Sequence, residues 1–199
     1  TAEYLSNLNE NQREAVECLD GPLLIVAGAG SGKTKVLTSR IAHIIKKNKA
    51  FPNQILAVTF TNKAAKEMQL RVSKLLRKDA TGLPWLGTFH SISAKLLRKH
   101  ADAVGLKSNF SIIDQDDQVR LIKNICKAEN VDIKKISPKF ILAIIDKWKN
   151  KGFYPQDVIL KRKDPLEKNF LSIYKIYQEK LVNLNSADFS DLILSLIHI

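Results

Sequence analysis

A glycine-rich segment followed by a lysine and a threonine is the part of the sequence best suited to chemistry. It reads Ala27-Gly28-Ala29-Gly30-Ser31-Gly32-Lys33-Thr34 and lies between an apolar run and an amphipathic helical pattern. Glycines let the backbone turn so that successive N–H groups face an anion, and a helix that begins here adds the positive end of its dipole. We therefore expect this segment to cradle phosphate groups.

The segment matches the Walker A template, G-x-x-x-x-G-K-[ST], except for Ala27 at the first position. The match predicts that Lys33 reaches the β- and γ-phosphates of ATP and that the Thr34 hydroxyl is a ligand of Mg²⁺. We expect these two residues to serve catalysis, and the rest of the loop with Lys35 to hold the nucleotide. The alternative is a glycine-rich turn that binds nothing, which leaves the Gly-Lys-Thr order unexplained. A kinase, a GTPase or a transporter would carry the same loop.

The apolar runs around the loop predict a parallel α/β fold. Leu23–Ala27 has the pattern of a strand buried on both faces, Ile55–Phe60 that of a second buried strand, and Leu86–Phe89 that of a third short strand. Helical patterns separate them, and this order requires the crossover connections of a parallel sheet. Beyond about Asp102 helices dominate, one of them starting at Ser137-Pro138.

Four segments are similar to motifs of one helicase family. Leu8–Arg13 precedes the loop at the interval of the Q motif, Ala57–Met68 looks like motif Ia, and Gly87–Ser91 looks like motif Ib. Asp188–Leu192 looks like the segment that precedes the DExx box. With the Walker A loop, these matches make the chain resemble the UvrD/Rep/PcrA-type DNA helicases of superfamily 1A over most of its length.

The resemblance implies roles for individual side chains. Gln12 would read the adenine edge, because a side-chain amide offers a donor and an acceptor side by side. Phe60 would stack on a base of single-stranded DNA. The remaining residues expected to contact DNA are Thr61, Asn62, Lys63, Thr88, Phe89 and His90.

Purely structural roles stay open for several of these residues. Asn9 and Asn62 would cap ordinary helices, and Asp188 would cap a surface helix. Phe60 would then be a core residue at the end of a strand.

The resemblance also implies an architecture: a P-loop NTPase (RecA-like) parallel sheet with a mainly helical inserted subdomain, incomplete at the C-terminus. Residues 1–90 would be the first part of motor domain 1A, 91–186 the inserted subdomain 1B, and 187–199 the start of the return to 1A. Subdomain 1B would present basic side chains to the duplex, although solvated helix faces explain most of them equally well. The candidates are Lys147, Lys149, Lys151 and the basic run at 161–163.

The family needs an Asp-Glu carboxylate pair for Mg²⁺ and the attacking water, and no such pair occurs in this sequence. The stretch 187–199 is apolar and ends abruptly. We therefore expect a chain that stops before the catalytic carboxylates and turns over ATP negligibly by itself.

Bulk properties agree with a nucleic-acid partner without requiring one. The formal net charge of +12 suggests a polyanion, and a solvated basic surface is the alternative. No apolar run approaches the ~20 residues that cross a bilayer. Cys18 and Cys126 lie near no second cysteine or paired histidine, so we expect two buried thiols in a reducing cytoplasm rather than a disulfide or zinc site.

The expected function is that of an ATP-dependent single-stranded DNA translocase or helicase in repair or replication. Its partners would be single strands and single-strand/duplex junctions, with no membrane. Three alternatives remain: a UvrD-like helicase–nuclease subunit, a P-loop kinase or ATPase without DNA activity, and a nucleic-acid-binding module with a vestigial loop.

Overall fold

The computed structural model describes residues 3–76, 82–160 and 165–199, which form a mixed α/β fold dominated by helices. The chain divides into two compact units, Thr1–Ile92 and Ser93–Ile199. The basic run at 161–163, a predicted DNA contact, lies outside the described residues. Over the described ranges, the helices lack the combination of length and apolar character that spanning a lipid bilayer requires.

The first unit alternates helices with two short strands. Its elements are α1 (Glu3–Ser6), α2 (Glu10–Glu17), α3 (Lys33–Lys46), β1 (Ala57–Thr59), α4 (Asn62–Leu76), β2 (Leu86–Thr88) and the start of α5 (Phe89–Lys99). Strands β1 and β2 pair in parallel, with Ala57 opposite Leu86 and Thr59 opposite Thr88. The helix α4 makes the crossover between them, so the predicted parallel pairing is confirmed for these two strands.

The main core of this unit lies between α3, α4 and the strands. Ile41 and Ala42 of α3 meet Met68 and Val72 of α4, together with Ala57 of β1. Met68 and Val72 are four residues apart, the spacing that places side chains on one helix face. The packing fixes α3, whose first residues belong to the phosphate loop.

The prediction for Leu23–Ala27 is wrong in this structure. The run is not part of a strand, and Leu24 and Val26 are each 87% exposed. A strand is buried on both faces only when neighbouring strands and covering layers flank it, and the described sheet of this unit contains β1 and β2 alone. The second predicted strand, Ile55–Phe60, is shorter than expected and covers only Ala57–Thr59. Leu56 and Phe60, which flank it, are exposed because no further described strand or layer covers them.

The second unit is mainly helical. Its elements are β3 (Ser111–Ile112), α6 (Gln115–Ala128), α7 (Pro138–Lys149), α8 (Pro165–Asn183), β4 (Ser186–Ala187) and α9 (Phe189–His198). Strands β3 and β4 pair in parallel. The largest cluster of buried side chains joins α6, α7 and α8 around Ile125, Ile145 and Tyr174. Cys126 is buried in this core, as predicted, whereas Cys18 is exposed, so the prediction of two buried thiols is half wrong.

Local capping residues set the starts of these helices. The Ser137 hydroxyl accepts a hydrogen bond from the backbone N–H of Phe140, with Pro138 at the first helical position, as the sequence predicts. Asp188 caps α9 by accepting from the N–H of Asp191, and the Asp191 carboxylate accepts from the N–H of Asp188. This reciprocal pair is a capping box, so the predicted cap at Asp188 is confirmed.

The start of α9 is nevertheless buried, because Asp188 and Asp191 belong to an internal ion network. The Lys149 ammonium lies 2.6 Å from Asp188 Oδ2 and 2.7 Å from Asp191 Oδ1. Tyr177 donates to Asp188 Oδ2, and Gln178 donates to Asp191 Oδ1. The predictions of a surface helix start at Asp188 and of a DNA-facing Lys149 are therefore wrong.

Burial disfavours the charged forms of all three side chains, and the attraction between the ammonium and the carboxylates counters this effect. Burial alone would lower the pKa of Lys149, but the two carboxylates reverse this effect and hold the pKa above its ordinary value. Burial raises the pKa of Asp191 despite the nearby ammonium. For Asp188 the effect of burial is outweighed by Lys149, and its pKa is lowered. Removing the ammonium would leave two buried carboxylates side by side.

Replacing Lys149 with methionine should therefore destabilise the protein strongly. We expect the free energy of unfolding to fall by about 3–5 kcal/mol, the usual cost of breaking a buried ion pair from one side. The measurement is urea unfolding followed by the fluorescence of Trp148, which stacks on Tyr174, in a Trp85→Phe background. Lys147→Met, at an exposed position of the same helix, is the control and should change stability by less than about 0.5 kcal/mol. Equal urea midpoints for the two variants would contradict the network.

Candidate functional site

The phosphate loop is an open turn that leads directly into α3. Gly30 and Gly32 have φ angles of 76° and 86°, in the left-handed region that glycine adopts without strain. Gly32 is the residue that precedes α3, so the backbone N–H groups at the start of this helix face outward with the positive end of its dipole. Side chains added at Gly28 or Gly30 would meet nothing within 4 Å, which leaves room for a ligand above the loop.

Lys33 folds back onto the loop that precedes it. Its ammonium donates to the carbonyls of Ala27 and Gly28, at 2.7 Å each. The Ser31 hydroxyl also donates to the Gly28 carbonyl, at 2.6 Å. The two lysine bonds use two of the three N–H donors of the ammonium, so the third can meet a phosphate oxygen.

The residues after Lys33 divide between ligand-facing and supporting positions. The side chain of Thr34 is exposed at the start of α3, where a hydroxyl could reach a cation. Lys35 turns the other way and donates to the backbone carbonyl of Asn7. Within the described ranges no group of three or more histidine, cysteine or carboxylate side chains could hold a metal ion.

Gln12 joins the Q-motif helix to the phosphate loop. Its amide nitrogen donates to the Ser31 carbonyl at 3.0 Å, and its amide oxygen accepts from the N–H of Asn9 at 3.1 Å. The Asn9 side chain in turn accepts from the N–H of Gln12, which completes a capping box at the start of α2. The predicted cap at Asn9 is confirmed, and the amide proposed to read adenine is held next to the loop.

Two aromatic rings lie at the ends of the paired strands. Phe60 follows β1 and is 91% exposed, and Phe89 follows β2 and is 42% exposed. Their ring centroids are 5.5 Å apart, with a tilt of 41° between the planes. Because parallel strands end at the same edge of a sheet, the two motifs bring their aromatic residues together. The alternative of Phe60 as a core residue is wrong.

The residues after Phe60 begin α4. The Thr61 hydroxyl accepts from the N–H of Ala64 at 3.2 Å, and the Thr61 carbonyl accepts from the N–H of Ala65. Thr61 is therefore the cap, and the predicted cap at Asn62 is off by one residue. Asn62 and Lys63 are exposed on the first turn of the helix.

The corresponding residues of β2 are more buried. Thr88 is 8% exposed, and its hydroxyl accepts from the N–H of Ser91 while the Ser91 hydroxyl accepts from the N–H of Thr88. A Cβ on Gly87 would lie 2.6 Å from the Ser91 hydroxyl, so only glycine permits this close turn. The exposed members of this motif are Phe89, His90 and Ser91. A DNA contact by Thr88 stays a prediction.

A cavity of about 960 Å³ occupies the second unit, but its lining contains none of the residues singled out in the loop or in motifs Ia and Ib. It lies along α8, β4 and α9, with Gln178 and Asp191 of the ion network on its wall. The volume of a cavity alone therefore does not locate the chemistry suggested by the sequence.

Gly32 gives a local test of the loop geometry. Alanine there would adopt a left-handed conformation, and its Cβ would lie 2.9 Å from the Gln12 amide nitrogen. We expect Gly32→Ala to lower the free energy of unfolding by about 1–2 kcal/mol, the cost of that conformation. Gly28→Ala is the matched control, because its Cβ meets nothing within 4 Å. Urea unfolding followed by Trp85 fluorescence in a Trp148→Phe background compares the two, and equal losses would contradict the left-handed conformation of Gly32.

Comparison with known proteins agrees with this arrangement of motifs. Residues 8–199 match the UvrD/REP helicase N-terminal domain. The chain is 44% identical over 195 residues to the ATP-dependent DNA helicase PcrA of Staphylococcus epidermidis, covering 98% of this chain and 27% of that protein. It is 47% identical to a probable DNA helicase II homolog of Rickettsia conorii, covering 96% of this chain and 29% of that protein.

The chain thus spans less than a third of the length of these relatives. Residues 8–199 include the phosphate loop, α2 with Gln12, and the segments similar to motifs Ia and Ib that contain Phe60 and Phe89. The chain belongs to the UvrD/REP helicase N-terminal domain family.

Proposed function

We propose that this chain is the N-terminal ATP- and DNA-binding part of an ATP-dependent single-stranded DNA translocase and helicase. The observation that carries the proposal is the presence, within one compact unit, of a Walker A loop and an exposed aromatic pair at the ends of two parallel strands. A loop alone fits many nucleotide-binding proteins, and exposed rings alone fit many nucleic-acid-binding proteins. Their combination fits a motor that couples the two.

In this proposal the first unit is the beginning of a RecA-like P-loop domain, residues 1–90, and residues 91–186 are the inserted subdomain 1B. Residues 187–199 begin the return to the first domain. The proximity of the division at Ile92 to this boundary supports the proposal. The family names of the relatives support a DNA substrate, and single strands and single-strand/duplex junctions are its proposed forms. Because a DNA motor acts on the chromosome, we also propose a cytoplasmic location.

The nucleotide-facing roles follow from the geometry of the loop. The backbone amides of residues 28–34 would hold the phosphates, and Lys33 would direct its third donor toward them. Thr34 would hold Mg²⁺, which would neutralise the charge that develops on the phosphates. Gln12 would read the base. Lys35 would act indirectly, by joining α3 to the backbone at Asn7.

The DNA-facing roles follow from exposure. The exposed ring of Phe60 and the neighbouring ring of Phe89 would form a stacking platform. Any base could stack there, because each base has a flat aromatic face. Asn62 and Lys63 lie on the exposed first turn of α4, where backbone amides and a positive charge suit a DNA phosphate. His90 is an exposed polar residue of motif Ib and would contact the DNA backbone.

A P-loop kinase or an ATPase without DNA activity is the second candidate. The same loop supports it, and Phe60 would then have no function that explains its exposure. The helicase–nuclease alternative shares every feature described here, so it is a variant of the first proposal.

Replacing Lys33 with alanine in the full-length protein should separate the two activities. We expect DNA-stimulated ATP hydrolysis to fall by about 100-fold or more, because one preorganised charge at the phosphates is lost. Affinity for a single-stranded oligonucleotide without nucleotide should change little. Steady-state hydrolysis and fluorescence anisotropy measure the two quantities, with Lys47→Ala at the far end of α3 as the control. Hydrolysis at the unmodified rate would end the helicase proposal.

Replacing Phe60 with alanine should weaken single-strand binding while leaving the fold intact. We expect a loss of about 1–3 kcal/mol of binding free energy, the usual worth of one base–aromatic stack, and Phe60→Trp should retain affinity. Anisotropy titrations at fixed salt with the full-length protein provide the measurement. Phe51→Ala, another exposed aromatic of the same unit at 69% exposure, is the matched control. If both alanine variants bind as tightly as the unmodified protein, Phe60 is not a stacking residue.

A further inference from the structure

Arg40 binds the end of the Q-motif helix. It lies on the side of α3 that meets α2, and one guanidinium nitrogen donates to the Ala15 carbonyl at 2.7 Å and to the Cys18 carbonyl. Both carbonyls belong to the last turn of α2 and its cap, where carbonyls have no partner within the helix and carry partial negative charge. The positive guanidinium therefore satisfies two carbonyl acceptors and interacts favourably with the negative end of the α2 dipole.

The other end of α2 is held by the loop. Gln12 donates to the Ser31 carbonyl, and Val16 between the two ends is fully buried against Val36 of α3. A helix of eight residues has little stability of its own in water, so contacts outside the helix set its position. Arg40 and Gln12 are the polar contacts at its two ends.

Two further bonds join the same part of the chain to α3. Lys35 donates to the carbonyl of Asn7, just before α2, and Tyr4 OH lies 3.0 Å from His43 Nδ1. These bonds hold the residues before α2, whereas Arg40 holds its last turn. Loss of Arg40 should therefore release α2 at one end while α3 stays packed on α4 through Ile41 and Ala42.

We propose that Arg40 is a positioning residue for recognition of the nucleotide base. The inference rests on the proposed function, in which Gln12 reads adenine. An amide discriminates between bases only when it is held within a fraction of an ångström of its correct place. Arg40 acts through α2 on Gln12, whereas the phosphates are gripped by the start of α3. A loosened α2 should reduce the preference for ATP over GTP and leave the grip on the triphosphate unchanged.

The test uses the full-length protein and its DNA-stimulated hydrolysis of ATP and GTP. We expect Arg40→Met to raise KM for ATP about 5- to 10-fold, while KM for GTP and both kcat values change less than about twofold. Arg40→Lys should restore part of the preference, because an ammonium keeps the charge but lacks the planar fork that reaches two carbonyls. Arg71→Met, an exposed arginine on α4, is the matched control and should change neither KM.

A merely structural role gives a different pattern. It lowers the melting temperature and raises KM for ATP and GTP in the same proportion, in Arg40→Met and Arg40→Lys alike. That result would overturn the inference, as would an unchanged preference for ATP in both variants.

Gln12→Ala separates the inference from the proposal beneath it. If this variant keeps the preference for ATP, base reading by Gln12 is wrong, and the inference about Arg40 is overturned with it. If Gln12→Ala loses the preference and Arg40→Met keeps it, only the inference is overturned. If both lose it, the double variant should show no further loss of preference, because the two residues act on the same contact with the base.

Discussion

The contact of Lys33 with the carbonyls of Ala27 and Gly28 is the interaction on which the shape of the phosphate loop depends. It closes the loop over the start of α3 while leaving the outer side open, so that backbone amides and one ammonium donor face the same space. The glycines make this turn possible, and the packing of α3 against α4 keeps the helix end in place.

Three neighbouring elements of the first unit, α2, β1 and β2, carry or precede the other candidate residues. The helix α2 contributes Gln12 from one side, and its own position depends on α3 through Arg40 and the buried contact of Val16 with Val36. The strands β1 and β2 contribute Phe60 and Phe89 from their common edge. The proposed nucleotide and DNA contacts would thus arise from one small set of packed elements. A change in the position of one element can be transmitted to the others through side chains that touch, which is what a coupled motor requires.

Features that depend on residues close in sequence could be predicted, and those that depend on distant partners could not. The caps at Asn9, Ser137 and Asp188 follow from a polar side chain and the next three residues. The burial of Lys149 follows from carboxylates 39 and 42 residues away, which no helical pattern reveals. The run Leu23–Ala27 has the composition of a buried strand, but burial also needs neighbouring strands, and these are not encoded in the run itself.

The candidate site shows the same difference between features set by nearby residues and features set by distant ones. The glycine spacing predicted the loop and its helix, and the motif resemblance pointed to Phe60 and Phe89. Their contact could be expected only once the strands were known to be parallel neighbours. Arg40 could not be singled out from the sequence because it is one of several basic residues of α3, and its partners are backbone carbonyls rather than side chains. Composition carries no signal for such a contact.

We propose that nucleotide and single-stranded DNA act on the same unit. The most direct test of this proposal is the rate of ATP hydrolysis by the full-length protein as a single-stranded oligodeoxynucleotide is added at fixed ATP and salt. We expect a rate that rises with oligonucleotide concentration and then saturates. A rate that is the same with and without oligonucleotide would contradict it.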